Sequence, residues 1–206
     1  MSTRVWLLRH AESEIPNIFH GAESDVGLSE RGARQVQAAA TILASYGANA
    51  VVSSGLRRAL LTAEPIAAAC ALPLRIEPEL HERRVGILQG MPTRPPHPLW
   101  VETTQRWQNG ETAYATQGAE SFDDIRERIV PVWRRLTVES AEQSIIIVAH
   151  GVVIHVLLLS ILSGYSPADW QRIGSTRNLG ITELVFEADW RVIRRNEVPP
   201  QVAEIA

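Results

Sequence analysis

The amino-acid sequence predicts an α/β fold of three layers, α/β/α, with helices on both faces of a mainly parallel central sheet. Strand-like runs alternate with helical patterns along the chain, and this alternation is typical of parallel sheets. Two of the runs, Val5–Leu8 and Ile145–Ala149, are continuously apolar, as are strands that are buried on both faces. The length of 206 residues and the apolar content of 45% suffice for one sizeable core.

Six strand-like runs are predicted to form the sheet, and helical patterns fall between them. The runs are Arg4–Leu8, Asn49–Ser53, Leu74–Glu77, Ser144–Ala149, Ile181–Glu187 and Arg191–Arg194.

Two helices are predicted in the first third of the chain. Ser29 is the expected N-cap of a helix that continues to about Ser45, because a serine hydroxyl can accept from a free amide of the first turn. The segment Leu56–Ala71 also has helical periodicity. Pro65 is expected to kink this second helix or to end its first part.

Two further helices are predicted on either side of the fourth strand. Ser121–Thr137 begins with Ser-Phe-Asp-Asp, which places acidic residues in the first turn, where the helix dipole favours them. Pro131 is expected to interrupt this helix. Gly151–Ser163 is almost entirely apolar, so it is predicted to be a buried helix.

The segment Glu79–Ala119 breaks the alternation of strands and helices. It contains a cluster of prolines followed by aromatic residues, and a loop of this length in a compact domain is functional or carries short helices of its own. We therefore predict a single domain over residues 1–206, with a loop or cap insertion at about residues 83–119. The residues after Pro199 are expected to form a loose tail.

Composition argues against several classes of function. The net charge of −3 gives no general attraction to nucleic acid or to an anionic membrane. Cys70 is the only cysteine, so an internal disulfide or a thiolate-rich metal site is excluded. The longest apolar run, Gly151–Leu162, is too short to span a bilayer. The first strand begins within three residues of the start, which leaves no room for a signal peptide, so a cytoplasmic location is expected.

The sequence contains no lysine, so all 20 of its Lys/Arg positions are arginine. This excludes a Walker-type phosphate loop and Schiff-base chemistry with pyridoxal phosphate, which both need a lysine. No cofactor is predicted, and no clustered spacing of His, Asp, Glu and Cys predicts a metal site. Any phosphate group bound here is expected to be held by arginine.

Histidines end two of the apolar runs. Arg9 and His10 follow the first run, and His150 and Gly151 follow Ile145–Ala149. Parallel strands bring their carboxyl ends to one edge of the sheet, where open α/β folds bind ligands. Arg9 adds a fixed positive charge with planar donors suited to phosphate or carboxylate. The pairing predicts a site in which two imidazoles meet.

Two more segments bring charged side chains. Ser53–Ala63 places Arg57 and Arg58 at the start of a helix that follows a strand, where an anion meets guanidinium groups and free backbone amides. Arg57 is expected to face solvent. Glu79–Gly86 places the carboxylate of Glu82 in a loop just past the third strand.

These four segments, in this order, closely resemble the motifs of the histidine phosphatase superfamily, which includes the phosphoglycerate mutase-like phosphatases. Leu8–Ser13 is similar to the R-H-G start of the family, with Ala11 in place of the usual glycine, and Leu28–Gly32 matches a family helix start. The resemblance covers roughly residues 4–187. It implies a phosphoglycerate mutase-like fold.

The resemblance also implies roles for single residues. It makes His10 the nucleophile, Glu82 the general acid and His150 the second histidine of the phosphate pocket. A neutral imidazole is a competent nucleophile at neutral pH, and a carboxylic acid can protonate a departing alkoxide. The phosphate-binding residues that the resemblance implies are Arg9, Arg58, Ser13, Asn17 and Gly151, with Asn17 displaced by one residue from the usual spacing.

The function implied is that of a metal-independent phosphomonoesterase that hydrolyses small organic phosphate esters through a phosphohistidine intermediate. Its partner would be a small phosphorylated metabolite. A sugar, nucleoside or aryl leaving group is favoured by aromatic residues near the candidate site, which are Phe19, Trp100, Trp107 and Tyr114.

Two alternatives remain open. The loop Gly86–Gly90 resembles that of a cofactor-dependent phosphoglycerate mutase, but Thr93 and Val85 stand where the mutases have a lysine and a tyrosine. The other alternative is a non-catalytic sensor or scaffold that binds phosphate. A pure binder would not need Glu82.

Overall fold

The computed structural model describes residues 2–205, and a six-stranded sheet lies at its centre. All six predicted strands are present, with ends that differ by a few residues from the sequence prediction. The strands are β1 (Thr3–Arg9), β2 (Ala50–Ser53), β3 (Leu74–Ile76), β4 (Ser144–Ala149), β5 (Ile181–Phe186) and β6 (Trp190–Glu197).

The strand order is β3-β2-β4-β1-β5-β6. The neighbours β3, β2, β4 and β1 are parallel to one another, whereas β5 is antiparallel to β1 and β6 is antiparallel to β5. Residues 187–189 join β5 to β6, and so short a connection permits only an antiparallel hairpin. The prediction of a mainly parallel sheet is confirmed.

Helices cover both faces of this sheet. Within residues 2–205 the α-helices are α1 (Glu30–Ala44), α2 (Arg57–Ala69), α3 (Pro98–Gln108), α4 (Phe122–Glu139), α5 (Gly151–Ile161), α6 (Trp170–Ile173) and α7 (Pro200–Ala203).

Alternate side chains of β1 enter two different cores. Val5 and Leu7 pack with apolar residues of α4 and α5, whereas Trp6 and Leu8 pack with apolar residues of α1 and α2 on the opposite face. Continuous apolar runs in the central strands therefore serve two helical layers at once. This confirms the predicted three-layer α/β/α architecture.

Two proline residues lie inside helices without ending them. Of the two outcomes expected at Pro65, a kink or an end, the end is wrong, because α2 continues through it to Ala69. The expected interruption at Pro131 is wrong as well, because α4 continues through it. A proline removes one backbone hydrogen bond from a helix. Most helix stability in a folded protein comes from packing of the apolar face, and α2 buries Ile66 beside its proline.

The proline-rich segment contains α3. Pro98 stands in the first turn of this helix, where its missing amide costs no hydrogen bond, and Nδ1 of His97 accepts from the Leu99 amide at 3.3 Å. From the sequence, this segment is expected either to be functional or to contain short helices, and α3 is such a helix. The single domain with a cap at about residues 83–119 stays a prediction.

The carboxyl-terminal residues up to 205 are ordered against the domain, so the expected loose tail is wrong. Val202 of α7 is completely buried, and its carbonyl accepts from Nε2 of Gln35 in α1 at 3.2 Å. This helix has four residues and one buried apolar side chain, which is too weak a sequence pattern to predict it. None of the helices within residues 2–205 combines the length and the hydropathy needed to cross a membrane.

Candidate active site

Two imidazole rings lie side by side at the carboxyl edge of the sheet. His10 follows β1 and His150 follows β4, and the register of these parallel strands pairs Arg9 with Ala149 directly before them. The His10 amide donates to the Ala149 carbonyl at 3.0 Å. The ring centroids are 5.1 Å apart, and both histidines are buried.

The tautomer of His10 follows from its two hydrogen bonds. Nδ1 lies 2.6 Å from the carbonyl oxygen of Ala11, which can only accept, so Nδ1 carries the proton. Nε2 accepts from Nε–H of Arg58 at 3.2 Å, so it presents a lone pair. Burial lowers the pKa of His10 well below its ordinary value, and the charges of Arg9 and Arg58 lower it further. The ring is therefore neutral near pH 7.

Two arginines bring permanent positive charge to the same place. Arg58 is almost completely buried, and its Nη1 and Nη2 donate to the carbonyls of Ser24 and Gly21 at 3.1 and 2.7 Å. Nη1 of Arg9 donates to the Thr176 carbonyl at 2.7 Å. Nε of Arg9 is buried and has no hydrogen-bond partner among the described residues. A buried, unpaired N–H group of this kind is suited to an anionic ligand.

His150 is held by a hydrogen bond to a residue at the end of the neighbouring strand. Its Nε2 is 2.6 Å from Oγ of Ser54, which follows β2. Its Nδ1 is buried and lacks a partner within residues 2–205. Burial lowers the pKa of His150 well below its ordinary value, and the nearby basic groups His10, Arg58 and Arg9 lower it further.

The carboxylate of Glu82 lies at the amino terminus of α5. Its Oε2 accepts from the Val152 amide at 3.2 Å, and its Oε1 accepts from the amides of Val153 and Arg83 at 3.3 and 2.9 Å. The first amides of a helix have no partner within the helix and favour a negative charge. They hold Glu82 beside Gly151, where a Cβ atom would lie 3.7 Å from the carboxylate.

The remaining predicted residues lie in the walls of the same cavity. Ser13 is buried, and its hydroxyl donates to the Ile15 carbonyl at 3.3 Å. Asn17 is exposed with a positive φ of 63°, and its carbonyl accepts from the Thr93 amide at 2.8 Å. Gly151 begins α5. All the predicted site residues except His150 line the cavity, and their roles stay predictions.

The cavity has a volume of about 1000 Å³, far more than a phosphate group needs. Phe19, Trp100 of α3 and Trp170 of α6 form an aromatic wall, with ring centroids 6.0 Å apart between Trp100 and each of the other two. Trp107 is completely buried behind Trp100. Tyr114 bonds through its hydroxyl to a carboxylate of α3, outside the residues that line the cavity.

Some residues that shape the site are not evident from the sequence motifs. Nδ2 of Asn178 donates to the carbonyl of His10 at 2.8 Å, and Oγ1 of Thr62 accepts from the Ala11 amide at 3.0 Å. Ser54 could have been predicted as a site residue, because it directly follows β2, a parallel strand that ends at the same edge of the sheet. Asn178 could not be identified in this way, since it lies three residues before the antiparallel strand β5.

Fold and site together define a class of α/β protein in which two histidines and two arginines lie together at one edge of a mainly parallel sheet. Among the described residues, no group of three or more His, Cys, Asp and Glu side chains is arranged to hold a metal ion. The chain belongs to the histidine phosphatase superfamily (branch 1), whose sequence model matches residues 5–198.

Similar proteins are known from mycobacteria. A bifunctional protein of Mycobacterium tuberculosis is 34% identical over 189 residues, which cover 91% of this chain. The chain spans only about half of that protein, 51% of its length. A glucosyl-3-phosphoglycerate phosphatase of Mycolicibacterium vanbaalenii is 29% identical over 92% of both chains. The native structure of a mycobacterial glucosyl-3-phosphoglycerate phosphatase superposes with a TM-score of 0.83 at 27% identity, covering 95% of this chain and 99% of that one.

Proposed function

We propose that this protein is a metal-independent phosphomonoesterase that hydrolyses small organic phosphate esters through a phosphohistidine formed on His10. The observation that carries the proposal is the hydrogen bonding of His10. Its Nδ1 proton is held by the Ala11 carbonyl, so the lone pair is on Nε2, in a buried ring that is neutral near pH 7. Nucleophilic attack on phosphorus needs such a lone pair.

The surrounding charges suit the phosphoryl group. A phosphate monoester carries about −1.5 to −2 charges, which repel a nucleophile unless they are screened. Arg9 and Arg58 supply two fixed positive charges close to His10. The unpaired Nε–H of Arg9 supplies a donor that needs no reorganisation, and Nδ1 of His150 supplies a second one in the tautomer in which the Ser54 hydroxyl donates to Nε2. Ser13, Asn17 and the amino terminus of α5 at Gly151 complete the proposed phosphate pocket.

Glu82 would act in both halves of the reaction. In its acid form it donates a proton to the leaving oxygen as Nε2 of His10 bonds to phosphorus and the ester P–O bond breaks. The resulting carboxylate then accepts a proton from the water that attacks phosphohistidine. Phosphate is released, and His10 and the acid form of Glu82 are restored. Its position beside Gly151 and Arg9 supports this assignment.

The size and the aromatic wall of the cavity support a leaving group such as a sugar, a nucleoside or an aryl group. The names of the mycobacterial relatives, glucosyl-3-phosphoglycerate phosphatases, also favour a small phosphorylated metabolite with a sugar part. A cytoplasmic location remains part of the proposal. The phosphoglycerate mutase alternative is less well supported. Thr93 lacks the positive charge of the lysine that the mutases have at its position, and Val85 lacks the hydroxyl group of their tyrosine.

Replacement of the nucleophile tests the proposal. We expect His10→Ala to abolish turnover of phosphate esters, and the wild-type protein to accumulate an acid-labile, base-stable phosphate during turnover. Mass spectrometry of rapidly quenched protein would locate that phosphate. The matched control is His97→Ala, because His97 caps α3 outside the cavity and should leave the activity unchanged.

Full activity of His10→Ala would overturn the phosphohistidine mechanism. Phosphate binding without turnover of any ester by the wild-type protein would instead support the non-catalytic sensor.

A further inference from the structure

His155 is a buried histidine of α5 that lines the cavity and that the reaction proposed above does not use. It lies four residues after Gly151, so the two residues share a face of the helix and are about 6 Å apart along its axis. A Cβ atom on Gly151 would lie 3.7 Å from both Nε of Arg9 and Oε2 of Glu82. His155 is therefore about one helical turn away from the proposed phosphate pocket, where the leaving group of an ester would lie.

Two contacts with Trp170 of α6 fix the ring of His155. Its Nε2 lies 2.8 Å from the Trp170 carbonyl oxygen, which can only accept, so Nε2 carries the proton. The imidazole also stacks on the indole ring of Trp170, with the ring centroids 3.9 Å apart and an angle of 12° between the planes. The neutral ring consequently has its lone pair on Nδ1, and its orientation is set before a ligand arrives.

The second nitrogen of this ring is left for a ligand. Nδ1 forms no hydrogen bond within residues 2–205, and unlike Nδ1 of His150 it is not sealed from solvent. Burial lowers the pKa of His155 to about 4, and the charge of Arg195 acts in the same direction, whereas the hydrogen bond to Trp170 acts in the opposite one. Nδ1 therefore stays an acceptor without a proton near pH 7.

A neutral acceptor at this place selects among leaving groups. It can accept from a hydroxyl group, whereas a carboxylate or a second phosphate dianion presents only lone pairs to it. A hydrocarbon group in the same position would take water away from Nδ1 without replacing its hydrogen bond, which is also unfavourable. The lone pair thus disfavours two kinds of leaving group and favours a third.

We propose that His155 is a specificity residue for the leaving group, and that its Nδ1 accepts a hydrogen bond from a hydroxyl group of a neutral sugar or polyol. The inference rests on the proposed function, because it concerns the ester that the same site would hydrolyse. It narrows the substrate to phosphate esters whose leaving group carries an uncharged hydroxyl group about one helical turn from the phosphate pocket.

The test compares two esters with six-membered rings, glucose 1-phosphate, which carries hydroxyl groups on its ring, and cyclohexyl phosphate, which carries none. In His155→Gln the amide nitrogen takes the place of Nε2 and can still donate to the Trp170 carbonyl, but no acceptor atom remains at the position of Nδ1. We expect the ratio of kcat/KM for glucose 1-phosphate to that for cyclohexyl phosphate to fall about three- to tenfold, because one neutral hydrogen bond is lost. Comparison of this ratio between variants cancels the difference in reactivity between the two esters.

His155→Asn reverses the two changes. Its side chain is too short to reach the Trp170 carbonyl, but it places an amide oxygen near the position of Nδ1. The ratio should therefore stay close to that of the wild-type protein, although the variant should unfold at a lower temperature. His97→Gln is the matched control, because His97 lies outside the cavity, and it should change neither the ratio nor the rates.

Equal losses for both esters in His155→Gln would overturn the inference and would show that His155 only supports Trp170. A ratio that falls in His155→Asn as far as in His155→Gln would overturn it too, and His155→Asn alone decides the question should His155→Gln not fold. Hydrolysis of nitrophenyl phosphate but not of glucose 1-phosphate by the wild-type protein would contradict the inference while the proposed function stands. Absence of turnover of all three esters would instead contradict the proposed function.

Discussion

At the scale of single residues, the site depends on which nitrogen of each imidazole is already bonded. Backbone carbonyls of Ala11 and Ile15 occupy one nitrogen of His10 and His20, and the hydroxyl of Ser54 occupies one nitrogen of His150. The other nitrogen of His10 accepts from Nε of Arg58, whereas the other nitrogens of His20 and His150 have no partner among the described residues. Carbonyls are suited to this task because they only accept, so they select one tautomer.

Glu82 offers the sharpest test of a role at this scale. An alcohol leaving group departs poorly as an alkoxide, whereas nitrophenolate needs little protonation. Because general acid catalysis contributes about 10²–10⁴-fold, Glu82→Gln should slow the cleavage of an alkyl phosphate by about that factor and that of nitrophenyl phosphate clearly less. Single-turnover rates for both esters would measure this, provided that bond cleavage limits them.

The matched control for this experiment is Glu79→Gln. Glu79 is an exposed carboxylate in the same loop and should tolerate the change. Equal losses for both leaving groups in Glu82→Gln would show that Glu82 only holds the amino terminus of α5 in place.

At the scale of elements, α3 gives the site its aromatic wall. Trp100 contacts Phe19 and Trp170, with ring centroids 6.0 Å apart in both pairs. Such aromatic contacts contribute about 0.5–1.5 kcal/mol each. We expect Trp100→Ala to lower kcat/KM for a bulky phosphate ester about tenfold and to affect a small one less, as steady-state rates across a series of leaving groups would reveal.

Trp190→Ala is the control for this substitution. It also removes aromatic contacts, but Trp190 lies on β6 and does not line the cavity. Thermal unfolding of both variants would report the structural cost alone. If Trp100→Ala lowers kcat/KM equally for bulky and small esters, the side chain supports α3 and does not contact the leaving group.

The elements also show what could be predicted from the sequence. The apolar runs that form β1 and β4 are continuous, so the strands and the histidines after them were predictable from pattern alone. The helix α3 was not, because the prolines before it are typical of loops and only Pro98 lies within it. Asn178 reaches His10 through a tertiary contact for which local sequence carries little signal, whereas Ser54 could have been expected near His150 because it directly follows β2 at the same edge of the sheet. The hydrogen bond between His20 and the Ile15 carbonyl likewise depends on the folded loop and could not be predicted from the sequence.

At the scale of the whole molecule, a net charge of −3 coexists with a pocket that is locally basic. Most of the surface arginines pair with carboxylates, as Arg106 does with Glu102 at 3.0 Å, whereas Arg9 and Arg58 bond only to neutral groups. Their charge therefore stays available to a ligand. The positive field of the pocket is thus carried by side chains fixed within the fold.

This source of positive charge leads to a prediction about metal ions. EDTA should leave the rate of phosphate ester hydrolysis unchanged, because arginine and histidine donors supply the electrostatic stabilisation that a metal ion provides elsewhere. Initial rates before and after exhaustive chelation would measure this. Loss of activity that one specific divalent ion restores would contradict the proposed mechanism.

The parallel pairing of β1 with β4 also limits how this chain can change in evolution. Each residue added to a strand moves everything after it by about 3.3 Å and turns the next side chain to the opposite face. An insertion or deletion in either strand would therefore separate the two imidazoles even if both histidines were retained. Substitutions within these strands keep the alignment, so sequence can diverge there while length cannot. Changes of length are left to connections away from this pair, such as residues 187–189 at the far edge of the sheet.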